Sequence, residues 1–196
     1  MALYLQDREF SNFIHTNLAI PIIYKALKWE KIILDKEYAD EIDINKGIDY
    51  IFKLGNKKIT VQERFRESKY SKYNDFTIRY RRDRNPFQDR HQSEHYKIEA
   101  DFFTYGITNC LKSNIGSCTD FIKFAVIDLN VVYKKLKSSE ILIQDNNENF
   151  CKIVNKKLIC PIKYNSDKSS SFFPVDISLL VKLWGPEILI LQKGFI

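Results

Sequence analysis

Lys46 to Glu67 read K-G-I-D-Y-I-F-K-L-G-N-K-K-I-T-V-Q-E-R-F-R-E. Apolar and polar residues alternate on either side of Gly55-Asn56-Lys57, which predicts a hairpin with strands Gly47–Leu54 and Lys58–Arg66 and a tight turn between them. Side chains of a strand point alternately to opposite faces. Ile48, Tyr50 and Phe52 therefore share one face of the first strand and Asp49 takes the other. On the second strand, Ile59, Val61, Glu63 and Phe65 oppose Thr60, Gln62, Arg64 and Arg66. With Ile59, Val61 and Phe65 against the core, cross-strand pairing brings Asp49 close to Gln62 and Arg64. Glu63 is then aimed at the core, where an unpaired carboxylate is costly. A bulge that turns it to the reactive face, or a neighbouring Arg, would relieve that cost.

These residue types suit phosphodiester hydrolysis. Asp49 can hold a divalent ion that offsets charge on the phosphorus oxygens and activates water. Gln62 offers a side-chain oxygen to the same ion, Glu63 is a further candidate ligand, and Glu30 is a weaker one. Mg²⁺ accepts such oxygens and keeps several waters; Mn²⁺ is the expected substitute. Arg64 would stabilise transition-state charge. A guanidinium keeps its proton near neutral pH, so Arg64 is not expected to be a base.

Outward from the hairpin, Leu3–His15 has helical apolar spacing with Leu5, Phe10, Phe13 and Ile14 near one face, and Pro21 opens a second helical stretch. Asp35–Asp43 reads as a polar connection. Downstream, strands are expected at Asp75–Arg82, Ala100–Ile107 and Phe121–Ile127, with a short helix at Ser93–Lys97. Asp128 is placed to cap the helix that follows. Leu142–Tyr164 reads as short strands, Pro174–Trp184 as a helix stopped by Gly185, and Ile188–Leu191 as a last apolar run. The expected class is α/β (α+β), a mixed central sheet flanked by helices, in one domain: a core of about residues 20–137 and a C-terminal extension, 138–196, of short strands and a helix.

The net charge is +6, and between Arg64 and Lys97 ten cations face five acids, so this one segment carries nearly all the excess. Clustered positive charge suits a polyanion. Arg66, Lys69, Lys72, Arg79, Arg81, Arg82 and Arg84 are the expected nucleic-acid contacts, and the interleaved Tyr70, Tyr73 and Tyr80 can stack on bases or pack in the core. The plainer reading is a solvated basic loop. His91-Gln92-Ser93-Glu94-His95 matches the H-x-x-E-H pattern of inverted zinc peptidases, but no third ligand is identifiable. His15 reads as a surface or partly buried residue. Cys110, Cys118, Cys151 and Cys160 form no C-x-x-C knuckle, which favours buried free thiols over a zinc site. No apolar run is long enough to span a bilayer, and the charged N-terminus is unlike a signal peptide, so a cytoplasmic protein without a membrane partner is expected.

G-I-D-Y-I-F followed by I-T-V-Q-E-R resembles the active-site hairpin of the PD-(D/E)XK nuclease superfamily, and in particular its Mrr-type branch, where Gln often replaces the second acid. The later K-I-E-A-D-F-F-T-Y-G and F-A-V-I-D-L-N-V-V-Y-K-K-L are similar to the strands and helix that follow the motif in many such enzymes. The resemblance covers about Leu27 to Leu136. It implies a restriction-endonuclease-like fold, with the metal-binding acid at Asp49, the acid-or-amide position at Gln62 and the catalytic cation at Arg64. It further implies a Mg²⁺-dependent endonuclease acting on DNA, of restriction or phage-defence type, with a homodimer expected by analogy. Two positions depart from the pattern. The usual Lys is Arg64, and the Pro before the acid is Ile48. A non-catalytic nucleic-acid binder on the same fold and an RNA-directed nuclease are the alternatives.

Overall fold

The computed structural model describes residues 2–81, 94–146, 148–165 and 170–196. The hairpin forms as β2 (Tyr50–Leu54) and β3 (Lys57–Arg66), antiparallel, with Tyr50 opposite Val61 and Leu54 opposite Lys57. They sit in a six-stranded mixed sheet of order β1-β2-β3-β5-β6-β12. Here β1 is Glu30–Lys31, β5 Phe102–Thr108, β6 Phe121–Asp128 and β12 Leu189–Lys193. β5 runs parallel to β3, whereas β6 and β12 continue antiparallel. Two smaller sheets follow the orders β10-β11-β4 and β7-β9-β8. The first holds β4 (Asp75–Arg81), β10 (Lys163–Tyr164) and β11 (Ser171–Asp176); the second holds β7 (Ile141–Gln144), β8 (Lys152–Val154) and β9 (Lys157–Pro161). The residues after 137 thus supply an edge strand of the main sheet and the middle strand of the β10-β11-β4 sheet.

Each face of the main sheet has its own core. On one side α1 (Ala2–Ile14) continues into a π-helical segment, His15–Tyr24, and the two bury Phe10, Ile14, Ile23 and Tyr24 against Phe52, Ile59, Val61 and Phe65. Leu5, expected on that apolar face, is 61% exposed. On the other side β4 and β11 bring Phe76, Ile78, Phe173 and Val175 onto Phe103, Tyr105 and Ile107 of β5. Complete burial of such side chains is worth about 1.5–3 kcal/mol each. Gly106 of β5 packs against Phe121 and Phe65 on the helical face. A Cβ there would stand 2.6 Å from the Phe121 ring.

Three local expectations change. Asp35–Asp43 is not a connection but most of α2 (Lys36–Lys46): Asp35 caps it by accepting from the Tyr38 N–H at 2.8 Å, and Gly47 ends it with φ 58°. Gly47 is therefore a helix terminator in the left-handed region, where a Cβ is disfavoured, and not the start of a strand. Pro174–Asp176 is the end of β11; α5 (Ile177–Trp184) begins only after Asp176, whose side chain accepts from the Leu179 N–H. Finally, Cys110 and Cys118 are joined in a disulfide, against the expectation of free thiols, while Cys151 and Cys160 are free with their sulfurs 3.8 Å apart. Asp128 does cap α4 (Leu129–Lys137), accepting from the Val131 N–H. No helix among the described residues is long and apolar enough to cross a membrane.

Candidate active site

α2 ends at Gly47, and the chain turns so that the Asp49 N–H bonds the Val61 carbonyl at 2.9 Å, beside the end of the hairpin ladder. β2 goes no further, and the rest of β3 keeps β5 on one side only. Asp49 fills the gap. Its Oδ2 accepts from Gln62 Nε2 at 2.8 Å and from the Glu63 N–H at 2.6 Å. Burial pushes the Asp49 carboxyl well above the ordinary carboxylate value; the Glu63 N–H works against this, while Asp43, Glu63 and Glu94 push in the same direction as burial. Asp49 makes no ion pair with a Lys or Arg among the described residues, so nothing there offsets the cost of its charged form.

Arg64 lies on the Gln62 face, two residues along, or about 6.6 Å at the usual strand rise. Its guanidinium is fixed against β4 and α3 (Glu94–Lys97): one nitrogen bonds the Thr77 carbonyl at 2.6 Å, and another reaches both Glu94 oxygens at 2.6 and 2.7 Å. Glu94, only 6% exposed at its side chain, also accepts the Arg79 N–H at 2.6 Å. The H-x-x-E-H reading is replaced accordingly, because its acid is taken by Arg64. His95 packs against Tyr133 and Phe173, and His91 lies outside the described residues. Glu94 is the residue of this face that sequence reasoning missed as a partner of Arg64. Its only signal was an acid in a basic segment, and pairing across 30 residues is invisible to local spacing.

Glu63 follows strict alternation and does face the helical side, with no bulge. Its carboxylate accepts from His15 Nδ1, 3.0 Å from both oxygens, and from the Tyr24 hydroxyl, which is also 3.0 Å from Thr104 Oγ1. Lys31 Nζ donates to His15 Nε2 at 2.8 Å. The His15 ring stacks on Tyr50 at 3.6 Å, so His15, 2% exposed, is a core residue and not a surface one. Burial lowers the Lys31 ammonium, with Glu63 opposing; burial raises the Tyr24 phenol well above its usual value, with Glu63 adding to it. The predicted ligand set therefore splits. Asp49 and Gln62 meet, but the Glu63 carboxylate is spent on the opposite face. Glu30, paired with Lys53 at 2.9 Å, is on an exposed edge. Among the described residues no three acid, His or Cys side chains converge to hold a metal by themselves. Gln62 turns its amide nitrogen to Asp49 and its oxygen towards Gly47, so an ion shared by the two side chains would need the Gln62 amide reversed and would keep most of its waters.

Beside the unpaired stretch of β3 lies a cleft of about 370 Å³, walled by Arg64, Arg66, Tyr70, Arg79 and Lys112, with Asp7 and Glu63 as its acids among the described residues. Arg66 bonds Thr77 Oγ1 at 2.8 Å and lies over the Tyr70 ring. Of the other expected nucleic-acid contacts, those among the described residues do not line the cleft. Lys69 pairs with Glu67 at 2.5 Å, Lys72 lies over the Tyr73 ring, and Arg81 is close to Tyr164. Arg82 and Arg84 lie outside the described residues. Lys97 instead caps α2, donating to the carbonyls of Asp43 and Ile44. A larger cavity, about 580 Å³ beside α4 and β7, is lined by His95 but by none of the hairpin site residues or expected nucleic-acid contacts.

Compared with protein-family models, curated proteins and solved structures, the chain matches none.

Proposed function

We propose that this chain is a metal-dependent endonuclease that hydrolyses DNA phosphodiester bonds at the Asp49–Gln62–Arg64 face of β3. The observation that supports it is the meeting of an acid and an amide across the hairpin end, 2.8 Å apart, with a guanidinium next along the same face. Asp49 and Gln62 would hold the ion. When bound, it would supply a Lewis acid that neutralises phosphoryl charge and lowers the pKa of water. Arg64, held by Thr77 and Glu94, is a fixed positive charge for the non-bridging oxygens, already oriented before substrate arrives. The cationic cleft beside it is lined by Arg64 but by neither Asp49 nor Gln62, and would seat the phosphate backbone next to the guanidinium.

One observation favours the second reading, a nucleic-acid binder without hydrolysis: only one carboxylate, that of Asp49, is presented to the ion, and Arg64 is already bonded to Glu94. Plasmid nicking with Mg²⁺ or Mn²⁺ separates the two. The first reading expects nicks from the wild type and none from Asp49→Ala. Persistent absence of nicking, with binding intact in both proteins, leaves the second. Binding itself should weaken steeply with salt, and Arg79→Ala should lower the slope of log K against log salt by about 1 if it meets a phosphate.

A further inference from the structure

We propose that the disulfide-closed loop between β5 and β6 is a second DNA-binding element of the cleft, with Lys112 as its phosphate contact; this rests on the reading that the cleft takes nucleic acid. Sequence reasoning placed no function here, because Lys112 lies outside the basic segment. The loop is built to hold one lysine still. Cys110 and Cys118 close it. The Cys110 carbonyl accepts from the Ser68 N–H at 2.8 Å, and the Lys112 N–H donates to Glu67 Oε2 at 3.1 Å. Asn109 Oδ1 accepts from the N–H groups of Thr119 and Asp120 at the other end. A binding group ordered before contact loses less conformational freedom on binding.

The ammonium of Lys112 enters the cleft wall with Arg66 and Arg79 and meets Asp7 Oδ1 at 2.6 Å. Of the two acids that line the cleft among the described residues, Glu63 is tied to His15 and Tyr24, while Asp7 is 62% exposed at its side chain. Exposed ion pairs are worth only about 0–1 kcal/mol. Asp7 thus occupies the mouth as an exchangeable anion, and a phosphate that displaces it gains Lys112 together with the arginines behind.

The test is fluorescence anisotropy of a short labelled DNA duplex across a salt series, in EDTA so that no cleavage intervenes. Lys112→Ala should weaken binding several-fold and lower the salt slope by about 1. Asp7→Asn should tighten binding several-fold at low salt, a gain that only a folded protein can give. The Cys110→Ser/Cys118→Ser double variant should weaken binding less than Lys112→Ala does, and should add nothing in the Lys112→Ala background. Wild-type affinity and slope in Lys112→Ala, or no tightening in Asp7→Asn, overturns the proposal. A wild type that binds but never nicks plasmid with metal removes hydrolysis and leaves Lys112 standing. A wild type that nicks while Lys112→Ala binds unchanged removes Lys112 alone.

Discussion

Gln62 Nε2 stands 2.8 Å from Asp49 Oδ2 at the point where β2 stops and β3 continues. One carboxylate oxygen therefore takes the place of a strand, accepting the Glu63 N–H that the ladder would otherwise have satisfied. The same oxygen belongs to a group that burial and three neighbouring acids disfavour in its charged form. A residue that completes the sheet and is also short of a counter-charge is where structure and proposed chemistry meet.

Asp49→Asn should abolish cleavage, keep DNA binding and raise stability. The folded protein holds the Asp49 proton at a pH where the unfolded chain has lost it. Stability therefore falls as pH rises from the ordinary carboxylate value through the raised folded one, and the deficit is complete above it. Asparagine keeps the acceptor for Gln62 and the Glu63 N–H without the charge. Thermal melts in EDTA at neutral pH should show the variant higher by several degrees, at about 2–4 °C for each kcal/mol regained. Adding Mg²⁺ should close the gap by stabilising only the wild type. A variant that melts at or below the wild type in EDTA contradicts the electrostatic account.

The Arg64–Glu94 pair makes a separate prediction. Arg64→Ala leaves a nearly buried carboxylate that keeps the Arg79 N–H but no cation among the described residues, and breaking such a pair costs about 3–5 kcal/mol. The double variant Arg64→Met/Glu94→Gln removes both charges and keeps an acceptor for Arg79. It should recover at least half of that loss in urea denaturation. If the double variant is no more stable than Arg64→Ala, the cost lies in lost packing and not in a stranded charge.

The hairpin was legible because period-two alternation and a Gly-Asn turn are local signals, and they brought Asp49 to Gln62 and put Arg64 on the Gln62 face. Alternation also aimed Glu63 at the core correctly, but not at its partners. His15 is 48 residues away, and nothing in a helical pattern says that one polar residue will be buried. α2 was missed because its face is polar and only Ile42 is buried, so the apolar periodicity that marks a helix is thin; its caps, Asp35 and Gly47, were the stronger signal. Pro174 drew the start of α5 three residues early, since a proline suits a first helical turn and is also tolerated in β11. The disulfide needed the close approach of Cys110 and Cys118, which spacing alone does not give.

His15→Ala should destabilise the fold and slow cleavage, although His15 does not line the Asp49 face. Glu63 would lose one of its two side-chain donors, and hydrogen bonds to charged groups are worth about 1.5–3 kcal/mol. Lys31 would lose its acceptor, and Tyr50 the ring stacked on it. Because the Glu63 N–H holds Asp49 at 2.6 Å, a shifted Glu63 displaces the acid as well. His15→Asn, which can still donate to Glu63, should restore part of both losses in parallel melts and nicking assays. Equal loss in both variants would mean that the ring's packing, and not its N–H, is what matters.

Asp75 sets an acid-side feature of stability independent of the proposed site. It sits opposite Asp176 in the β4–β11 pair, and like charges directly across a sheet repel. Burial pushes its carboxyl up to about 6; Arg66 and Lys123 pull the other way, and Asp176 adds to the rise. A carboxyl raised in the fold keeps its proton there while the unfolded chain has already released it. The Asp75 contribution to stability should accordingly decline between about pH 4 and about pH 6 and then level off. Asp75→Asn removes this decline. Its advantage should be absent below about pH 4 and reach at most about 3 kcal/mol above pH 6, less what solvent screening takes from a half-buried group. Asp176→Asn is a poorer remedy, because burial contributes more than Asp176 to the rise at Asp75. Chemical denaturation of both variants at steps from pH 4 to pH 7 checks the window, and an Asp75→Asn difference that does not change with pH would refute the titration.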